Sequence, residues 1–454
     1  MSFFIKSKPA NGSTKFSADK RRKRKAEKIS RDVEVTSSED EGEGSGLNLQ
    51  DKSSDEDETA QEKKLRLAKI YLEEIEKEER RRLEDKEVSK EIISKRLKTD
   101  HLKQIGKYEV TIADKCTGAD LNNLKNLKCK EQHNTITCVC LSSDDKWVFS
   151  GSKDGVVVKW SLTEHKKLGV IPFVKTNIDI IKGHTSCINC IAISTDNNYL
   201  VVGDNSGMIQ IWDPNTLKHL GTLKGHKKPI TGLCLKRNSH TLYSSSQDRS
   251  VRVWSLDEMT FVETLFGHQD GITSIDVLNT DRPISSGGRD GTIRLWKVSE
   301  ESQLIFNAQP ENVDSVKLIN EQYFLSGGDN GQVCVWSCIK KKPLCIVKAA
   351  HGCDPLNEQP YWISAVAALI HSDIVASGSQ DGYIRLWKVE DRYRKISKLF
   401  EIPITGFVNA LAFTSDGKKL VAGVGRDHRL GRWSTVKSAK NTICIIPLLI
   451  NDST

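Results

Sequence analysis

Histidine and aspartate residues recur at a regular spacing along much of this 454-residue chain. Three pairs, each 21 or 22 residues apart, are His133 with Asp154, His226 with Asp248, and His268 with Asp290. A His–Asp pair serves either as a general base in catalysis or as a structural hydrogen bond that satisfies a buried imidazole. We find no glycine-rich phosphate loop, no nucleophile elbow and no cluster of metal ligands in the sequence. We therefore interpret the pairs as structural, and we expect no enzyme activity, no cofactor and no metal.

Twelve cysteines raise the question of disulfides or zinc. The one CxxC motif, Cys187 to Cys190, has no second pair at zinc-ribbon spacing. Other cysteines, such as Cys138 and Cys234, stand in apolar runs, where the thiol behaves as a small hydrophobic group. The first residues are too short an apolar run for a secretory signal, and no stretch approaches the ~20 apolar residues of a membrane span. We expect reduced thiols that pack in a core.

Tryptophan spacing predicts the elements that position these side chains. Seven of the nine tryptophans recur at intervals of 40 to 52 residues, at Trp160, Trp212, Trp254, Trp296, Trp336, Trp387 and Trp433. This period, with Gly-His early and Trp late in several repeats, is typical of WD40 repeats, which form four-stranded blades. Alternating runs such as Val251–Trp254 read as half-buried strands, and tight turns with the Asp precede them. The sequence predicts an all-β fold, a seven-bladed WD40 β-propeller over residues 121–449.

Parts of the predicted ring depart from the repeat. The fifth and seventh repeats lack Gly-His, and the sixth has an insertion, Gly352–Tyr361, so we expect these blades to be irregular. Leu121–Lys130 and Thr442–Leu449 are both candidates for the strand that completes the last blade. We expect one to close the ring and the other to lie outside it or to be coil. We also expect burial of Trp433, a repeat tryptophan. Trp362 reads as the entry to a strand, which favours burial, and the alternative is an exposed residue that stacks or contacts a protein.

The N-terminal quarter has a different composition. Residues 1–58 are rich in charge and predict a disordered arm. Its basic run resembles a nuclear or nucleolar import signal and consists of Lys20, Arg21, Arg22, Lys23, Arg24 and Lys25. Ser37-Ser38 and Ser53-Ser54 each precede acidic residues, as in sites of acidophilic kinases, with plain disorder as an equal alternative.

A charged helical segment is predicted over residues 59–105. Thr59 and Glu62 have the spacing of a capping box, and a short apolar stripe runs from Leu65 to Ile75. The stripe fails at Glu79, so we do not expect a long coiled coil. About three turns of apolar face favour docking on a partner.

Several passages outside the repeat consensus resemble one known family, the WD40 propeller proteins of the U3 small nucleolar ribonucleoprotein, a box C/D particle. They are Glu58-TAQEKKLRLAKIYLE-Glu74 and residues 263–274, 287–306, 358–370, 421–433 and 441–448. The resemblance implies a non-catalytic nucleolar protein that binds U3 small nucleolar RNA at its box B/C element. It also implies two sets of partners: box C/D core proteins, including the small kink-turn-binding protein, and proteins of the small-subunit processome. The implied role is in early processing of the small-subunit (18S) ribosomal RNA precursor.

Exposed cations on one face are the candidate contacts with RNA or ribonucleoprotein. In a WD40 blade, the turn with the Asp and the loop with the Gly-His open on the same face. The candidates are Lys153, Lys227, Lys228, Arg249, Arg289, Arg426, His428 and Arg429. Arginine and lysine supply most phosphate contacts, although exposed cations on turns are also common without a ligand. We expect blade seven, which lacks Gly-His, to be the main contact.

Two other functions stay open for a propeller of this kind. A substrate receptor of a ubiquitin ligase usually carries Trp-Asp-x-Arg, whereas Trp212-Asp213 is followed by Pro214 and Asn215. A reader of cationic histone tails is disfavoured by the basic face and by the net charge of +8. A general nuclear scaffold is the broader form of these alternatives.

Overall fold

The computed structural model describes residues 60–82, 90–104, 108–175, 183–308, 312–355 and 357–451. The predicted arm over residues 1–58, with its import signal and serine clusters, lies outside these residues, as does Thr59. Two helices come first in the described chain: α1 (Ala60–Arg82) and α2 (Lys90–Gln104), which contact each other. Leu65 and Leu72 of α1 are 57% and 42% exposed, whereas Ile75 is buried. Neither helix of the described part is long and apolar enough to cross a membrane.

Two short strands precede the first blade and follow a turn of 3-10 helix, Ala113–Lys115. They are β1 (Cys116–Ala119) and β2 (Lys125–Leu127). Blade one comprises β3 (Ile136–Leu141), β4 (Trp147–Ser152), β5 (Val157–Ser161) and β6 (Lys167–Ile171). Blade two comprises β7 (Ile188–Ile193), β8 (Leu200–Asp204), β9 (Met208–Trp212) and β10 (His219–Lys224). Blade three comprises β11 (Ile230–Leu235), β12 (Thr241–Ser246), β13 (Ser250–Ser255) and β14 (Thr260–Phe266).

The remaining blades repeat the antiparallel meander. Blade four comprises β15 (Ser274–Asp276), β16 (Ile284–Ser286), β17 (Thr292–Lys297) and, after a 3-10 turn, β18 (Ser302–Asn307). Blade five comprises β19 (Val313–Leu318), β20 (Tyr323–Gly328), β21 (Val333–Ser337) and β22 (Lys340–Val347). Blade six comprises β23 (Ala365–Ala368), β24 (Ile374–Gly378), β25 (Tyr383–Glu390) and β26 (Lys395–Pro403). Blade seven contains β27 (Phe407–Phe413), β28 (Lys419–Gly425) and β29 (Thr442–Ile450).

The innermost strands of successive blades contact each other around a complete ring, and β27 of blade seven contacts β3 of blade one. The chain is therefore the predicted seven-bladed propeller. Apolar side chains pack between neighbouring blades rather than in one central core. One cluster, for example, joins Ile136 and Trp160 of blade one to Val421 and Ile443 of blade seven. Burial between blades leaves the two faces of the ring free to carry loops of different chemistry.

The expectation that only one terminal segment completes blade seven is wrong. Strand β29 pairs with β28 on one side and with both β1 and β2 on the other, so both segments belong to the sheet. The error follows from Trp433, which the repeat places in the third strand. The third strand is instead β29, and residues 426–441 connect it to β28 as a long loop. The N-terminal strands then supply the outer edge and close the ring.

Candidate binding face of the propeller

Three blades share a buried hydrogen-bond network that fixes the turns of one face, called here the binding face. In blade three, His226 Nδ1 lies 2.8 Å from Asp248 Oδ2, and its Nε2 lies 2.8 Å from the Ser244 hydroxyl. The Trp254 indole N–H donates to the same hydroxyl at 2.8 Å. Because an ionised carboxylate only accepts, the imidazole donates from Nδ1 to Asp248. Both ring nitrogens of His226 are therefore used in structural hydrogen bonds.

Blades four and six repeat this network with His268, Asp290, Ser285 and Trp296, and with His351, Asp381, Ser377 and Trp387. The predicted pairs of blades three and four are thus present. Sequence reasoning missed the pair of His351 and Asp381 because the insertion separates them by 30 residues. The predicted irregularity of blade six is therefore confined to the inserted loop, and its turn is held like those of blades three and four.

The predicted pair of His133 and Asp154 is wrong. His133 is exposed, and Gln132, one residue earlier, takes the buried position and bonds the Ser150 hydroxyl at 3.2 Å. Asp154 instead accepts two hydrogen bonds from Asn134, from the backbone N–H at 2.7 Å and from the side-chain amide at 2.6 Å. The spacing explains the error, because Gln132 has the 22-residue separation that His133 lacks.

The turns of blades two and five are held differently again. His184 is fully buried, but its Nδ1 lies 3.9 Å from Asp204, too far for a hydrogen bond. Burial lowers the pKa of His184. In blade five, Asp329 accepts hydrogen bonds from the backbone and the side-chain amide of Asn312. In blades one and five, asparagine therefore replaces the imidazole as the partner of the turn aspartate.

Four of the eight predicted contact residues form what we call the three–four cationic group: Lys227, Lys228, Arg249 and Arg289. All four are exposed, and they lie on adjacent loops of blades three and four. The Arg249 guanidinium reaches the backbone oxygen of Gln269 in blade four at 3.4 Å. Arg249 has a φ of +71°, in a turn where Gly155 and Gly291 supply the left-handed residue in blades one and four. A strained, exposed arginine at this position is a candidate phosphate contact.

The other four predicted contacts meet at blade seven, about half a ring away. Lys153 of blade one donates from Nζ to the backbone oxygen of His428 at 2.6 Å, and burial lowers its pKa. Arg426 is exposed, and its Nε donates to the Ala439 oxygen at 2.9 Å. Arg432, next to Trp433, is also exposed and pairs with Asp427 at 3.2 Å. Arg426 and Arg432 are therefore surface cations, as are Lys437 and Lys440 of the same loop.

Arg429 lies inside the ring rather than on the binding face. Its guanidinium donates to the backbone oxygen of Asp314, on the innermost strand of blade five, at 2.7 Å. Burial lowers the pKa of Arg429 and raises that of Asp314 to about 6. Cys138 and Cys190, on the innermost strands of blades one and two, are also close enough to affect the arginine. Arg429 therefore points into the ring, towards the innermost strand of blade five.

His428 is also buried, at 2% exposure. Burial, with Arg429 and Lys153 nearby, lowers the pKa of His428 to about 3, so the imidazole is neutral at physiological pH. Its Nδ1 accepts a hydrogen bond from the Leu430 N–H at 3.3 Å, which places the proton on Nε2. That Nε2 has no hydrogen-bond partner among the described residues. The predicted role of His428 as an exposed cationic contact is wrong, because its imidazole is buried and neutral.

The expected burial of Trp433 is wrong, and Trp362 follows the alternative of an exposed residue rather than the favoured burial. Trp362 and Trp433 are 40% and 56% exposed, and their ring centroids lie 5.5 Å apart. Trp362 stands three residues before β23, in the loop that follows the insertion. The Gly431 before Trp433 was the available sequence signal, because an alternating strand seldom carries glycine two residues before its tryptophan. The two indoles flank a cleft of about 480 Å³ whose wall includes His428 and Phe407.

The described residues offer no site for metal chemistry. No three histidine, cysteine, aspartate or glutamate side chains converge among them as a metal ion would require. All twelve cysteines are free thiols. Burial raises the pKa of Cys138 to about 12 and that of Cys140 to about 11, which disfavours the reactive thiolate. Neither metal ligands nor reactive thiols therefore account for the chemistry of the binding face in the described residues.

This fold and this face define a WD40-repeat propeller. The WD domain, G-beta repeat family matches residues 124–161, 175–213, 217–255, 259–297 and 355–388. These ranges correspond to blades one to four and six. Blades five and seven, which lack Gly-His, lie outside the matched ranges.

Relatives define the family more narrowly. The mouse U3 small nucleolar RNA-interacting protein 2 is 49% identical over 395 residues, which cover 86% of this chain and 83% of the relative. The human protein of the same name is 48% identical with the same coverage. A solved structure described as "Structure of U3-55K" has a TM-score of 0.70 and 45% identity, covering 73% of this chain and 100% of that chain. This chain belongs to the family of U3 small nucleolar RNA-interacting WD40 proteins.

Proposed function

We propose that this chain is a non-catalytic protein of the U3 small nucleolar ribonucleoprotein. It binds U3 RNA in the box B/C region together with box C/D core proteins, including the small kink-turn-binding protein. Through this particle and the small-subunit processome it supports early processing of the 18S ribosomal RNA precursor. Its site of action is the nucleus and the nucleolus, and residues 20–25 are the proposed import signal.

One observation carries this proposal. Relatives whose names state an interaction with U3 small nucleolar RNA share nearly half of their residues with this chain over most of both lengths. The structure supports it through the chemistry of the binding face. The three–four cationic group and the exposed Arg426 and Arg432 are suited to phosphates, and cations of this kind supply affinity that depends on salt. The exposed stripe of α1 is a second proposed docking element, for a protein partner.

The ubiquitin-ligase alternative receives no support from the Trp-Asp dipeptide. Asp213 is used locally, because its carboxylate accepts hydrogen bonds from the Asn215 N–H at 2.8 Å and the Thr216 hydroxyl at 2.6 Å. These bonds cap the turn between the third and fourth strands of blade two. The dipeptide therefore has a structural explanation.

Binding of purified full-length protein to a U3 box B/C RNA fragment, with and without the kink-turn-binding protein, tests the proposal. We expect tight binding at least in the presence of the companion protein. The affinity should fall as salt rises, because displaced counterions return to the phosphates. A scrambled RNA of equal length, which lacks the kink-turn, is the control. Equal binding of both RNAs at every salt concentration would contradict the proposed function.

A further inference from the structure

The cleft between blades six and seven has features that phosphate binding does not explain. It lies on the binding face between the inserted loop of blade six and the loop of residues 426–441, and we call it the aromatic cleft. Trp362 and Trp433 stand at its mouth, with their ring planes inclined at 54°. Phe407, which is buried, lies 6.1 Å from the His428 ring at its base. Two half-exposed indoles beside a cavity present flat apolar surfaces to a ligand.

The position of Trp433 is set by close packing on its own loop. A methyl group added at Gly431 would come within 2.1 Å of the Trp433 ring, so the absence of a side chain at Gly431 lets the indole lie flat against the loop. The His428 ring lies 5.0 Å from Trp433 and 6.1 Å from Trp362. The three rings therefore form one preorganised wall. A preorganised aromatic surface binds a planar group without first paying the entropy of ordering its side chains.

His428 specifies what kind of ligand suits this wall. Its Nδ1 accepts the Leu430 N–H, so the proton is on Nε2, and this buried donor has no acceptor among the described residues. The imidazole lines the cleft and is neutral, so it adds an aromatic surface without charge. The cations Lys153 and Arg432 beside the loop also repel a positively charged ligand.

The polar rim of the aromatic cleft includes three amides. Asn357, Gln359 and Gln380 line it, with Asp354 as its carboxylate. Each amide offers both donors and an acceptor, the same combination that base edges present. The exposed Arg426 and Arg432 stand on the adjoining loop and suit the phosphates on either side of a base. Proteins that recognise RNA commonly stack unpaired bases on aromatic rings and read their edges with hydrogen bonds.

We propose that the aromatic cleft captures one unpaired nucleobase of the RNA, stacked on Trp433 and Trp362 with its polar edge facing the amides of the rim. The inference rests on the proposed function, because it names the feature of the RNA that blade seven binds. It adds a contact that discriminates single-stranded from paired nucleotides. The three–four cationic group then supplies phosphate contacts on the same binding face, about half a ring away from the cleft.

The test uses full-length protein with the kink-turn-binding protein and a U3 RNA fragment that carries box B/C and its flanking single strands. We expect Trp433→Ala and Trp362→Ala each to weaken binding by roughly 5- to 150-fold, as the loss of one base stack does. Trp433→Phe should retain most of the affinity, because a smaller ring still stacks. Phe266→Ala is the matched control, because Phe266 is 73% exposed on the outer strand of blade three.

Ultraviolet crosslinking of the same complex, followed by mass spectrometry, gives a readout that does not depend on stability. We expect nucleotide adducts on peptides that contain Trp362 or Trp433. Unchanged affinity of both alanine variants, with adducts only elsewhere, would overturn the cleft assignment and leave U3 binding intact. Loss of a protein partner by these variants at full RNA affinity would also overturn it and make the cleft a peptide site. If wild-type protein bound no U3 RNA, both proposals would fall.

Discussion

Replacement of Asp290 by alanine removes a carboxylate that accepts several hydrogen bonds in the turn network of blade four. The carboxylate of Asp290 accepts the His268 imidazole at 2.7 Å, the Gln269 N–H at 3.2 Å, and both the N–H and the hydroxyl of Thr292 at 2.8 Å. Water can replace the lost carboxylate as the acceptor for the backbone N–H groups of Gln269 and Thr292. The His268 side chain is fully buried, so its Nδ1–H would lose the carboxylate and keep only the Thr292 hydroxyl, 3.5 Å away, which is too long for a strong hydrogen bond.

The cost follows from these contacts. An orphaned buried donor costs ~1–3 kcal/mol, and the lost turn bonds add ~1 kcal/mol together after water has replaced them. We therefore expect Asp290→Ala to lower the free energy of unfolding by about 3 kcal/mol. Asp154→Ala is the matched control, because Asp154 stands at the same turn of blade one but bonds only the half-buried Asn134. Its cost should be about 1 kcal/mol.

Urea unfolding followed by circular dichroism and tryptophan fluorescence measures the difference between the two variants. We expect Asp290→Ala to be less stable than Asp154→Ala by about 2 kcal/mol. Asp290→Asn, which keeps an acceptor for the imidazole, should fall between the two. Equal losses for the two alanine variants would show that the buried imidazole does not depend on its carboxylate, and the reasoning on these networks would be refuted.

Three further predictions concern closure of the ring, pH and the binding face. Deletion of residues 1–107 should leave a folded propeller, whereas deletion of residues 1–130 removes the outer strands of blade seven and should yield unstable or aggregated protein in a thermal melt. The pKa of His428 is lowered to about 3, so protonation favours the unfolded chain, and stability falls as pH drops below ~6.5. His428→Phe should remove about 2 kcal/mol of the loss that wild type shows between pH 7 and pH 5, and unchanged pH dependence would contradict the assignment. Arg249→Gly should raise the free energy of unfolding by about 1 kcal/mol, because glycine adopts a φ of +71° without strain. The same substitution should weaken RNA binding and reduce the slope of log affinity against log salt concentration by about 1, as expected for the loss of one phosphate contact. A variant that is stabilised but keeps full RNA affinity would remove Arg249 from the contact.

The blades were predictable because their signals are local and repeated. The tryptophan period and the alternating runs depend on strands that bury one face against a neighbour, and this constraint recurs in every blade. The His–Asp spacing predicted the networks of blades three and four for the same reason. The same spacing gave a wrong pair in blade one, because Gln132 occupies the buried position there and the next residue, His133, is exposed.

The binding face was predictable only in part. The cations of blades three and four stand on short turns, whose residues point to solvent wherever the blade is regular. The loop of residues 426–441 follows no repeat, so sequence spacing does not determine that Arg429 turns into the channel while Trp433 turns out. Its path depends on contacts from blades one and five, such as the bond from Lys153 to His428, which are remote in sequence.

The central claim, that this propeller works in the U3 ribonucleoprotein, is tested most directly by crosslinking the protein to RNA in living cells and sequencing the bound RNA. We predict that U3 small nucleolar RNA is the most enriched species, with crosslinks concentrated in the box B/C region and its unpaired flanks. Enrichment of messenger RNA without U3, or recovery of no RNA above background, would contradict the account.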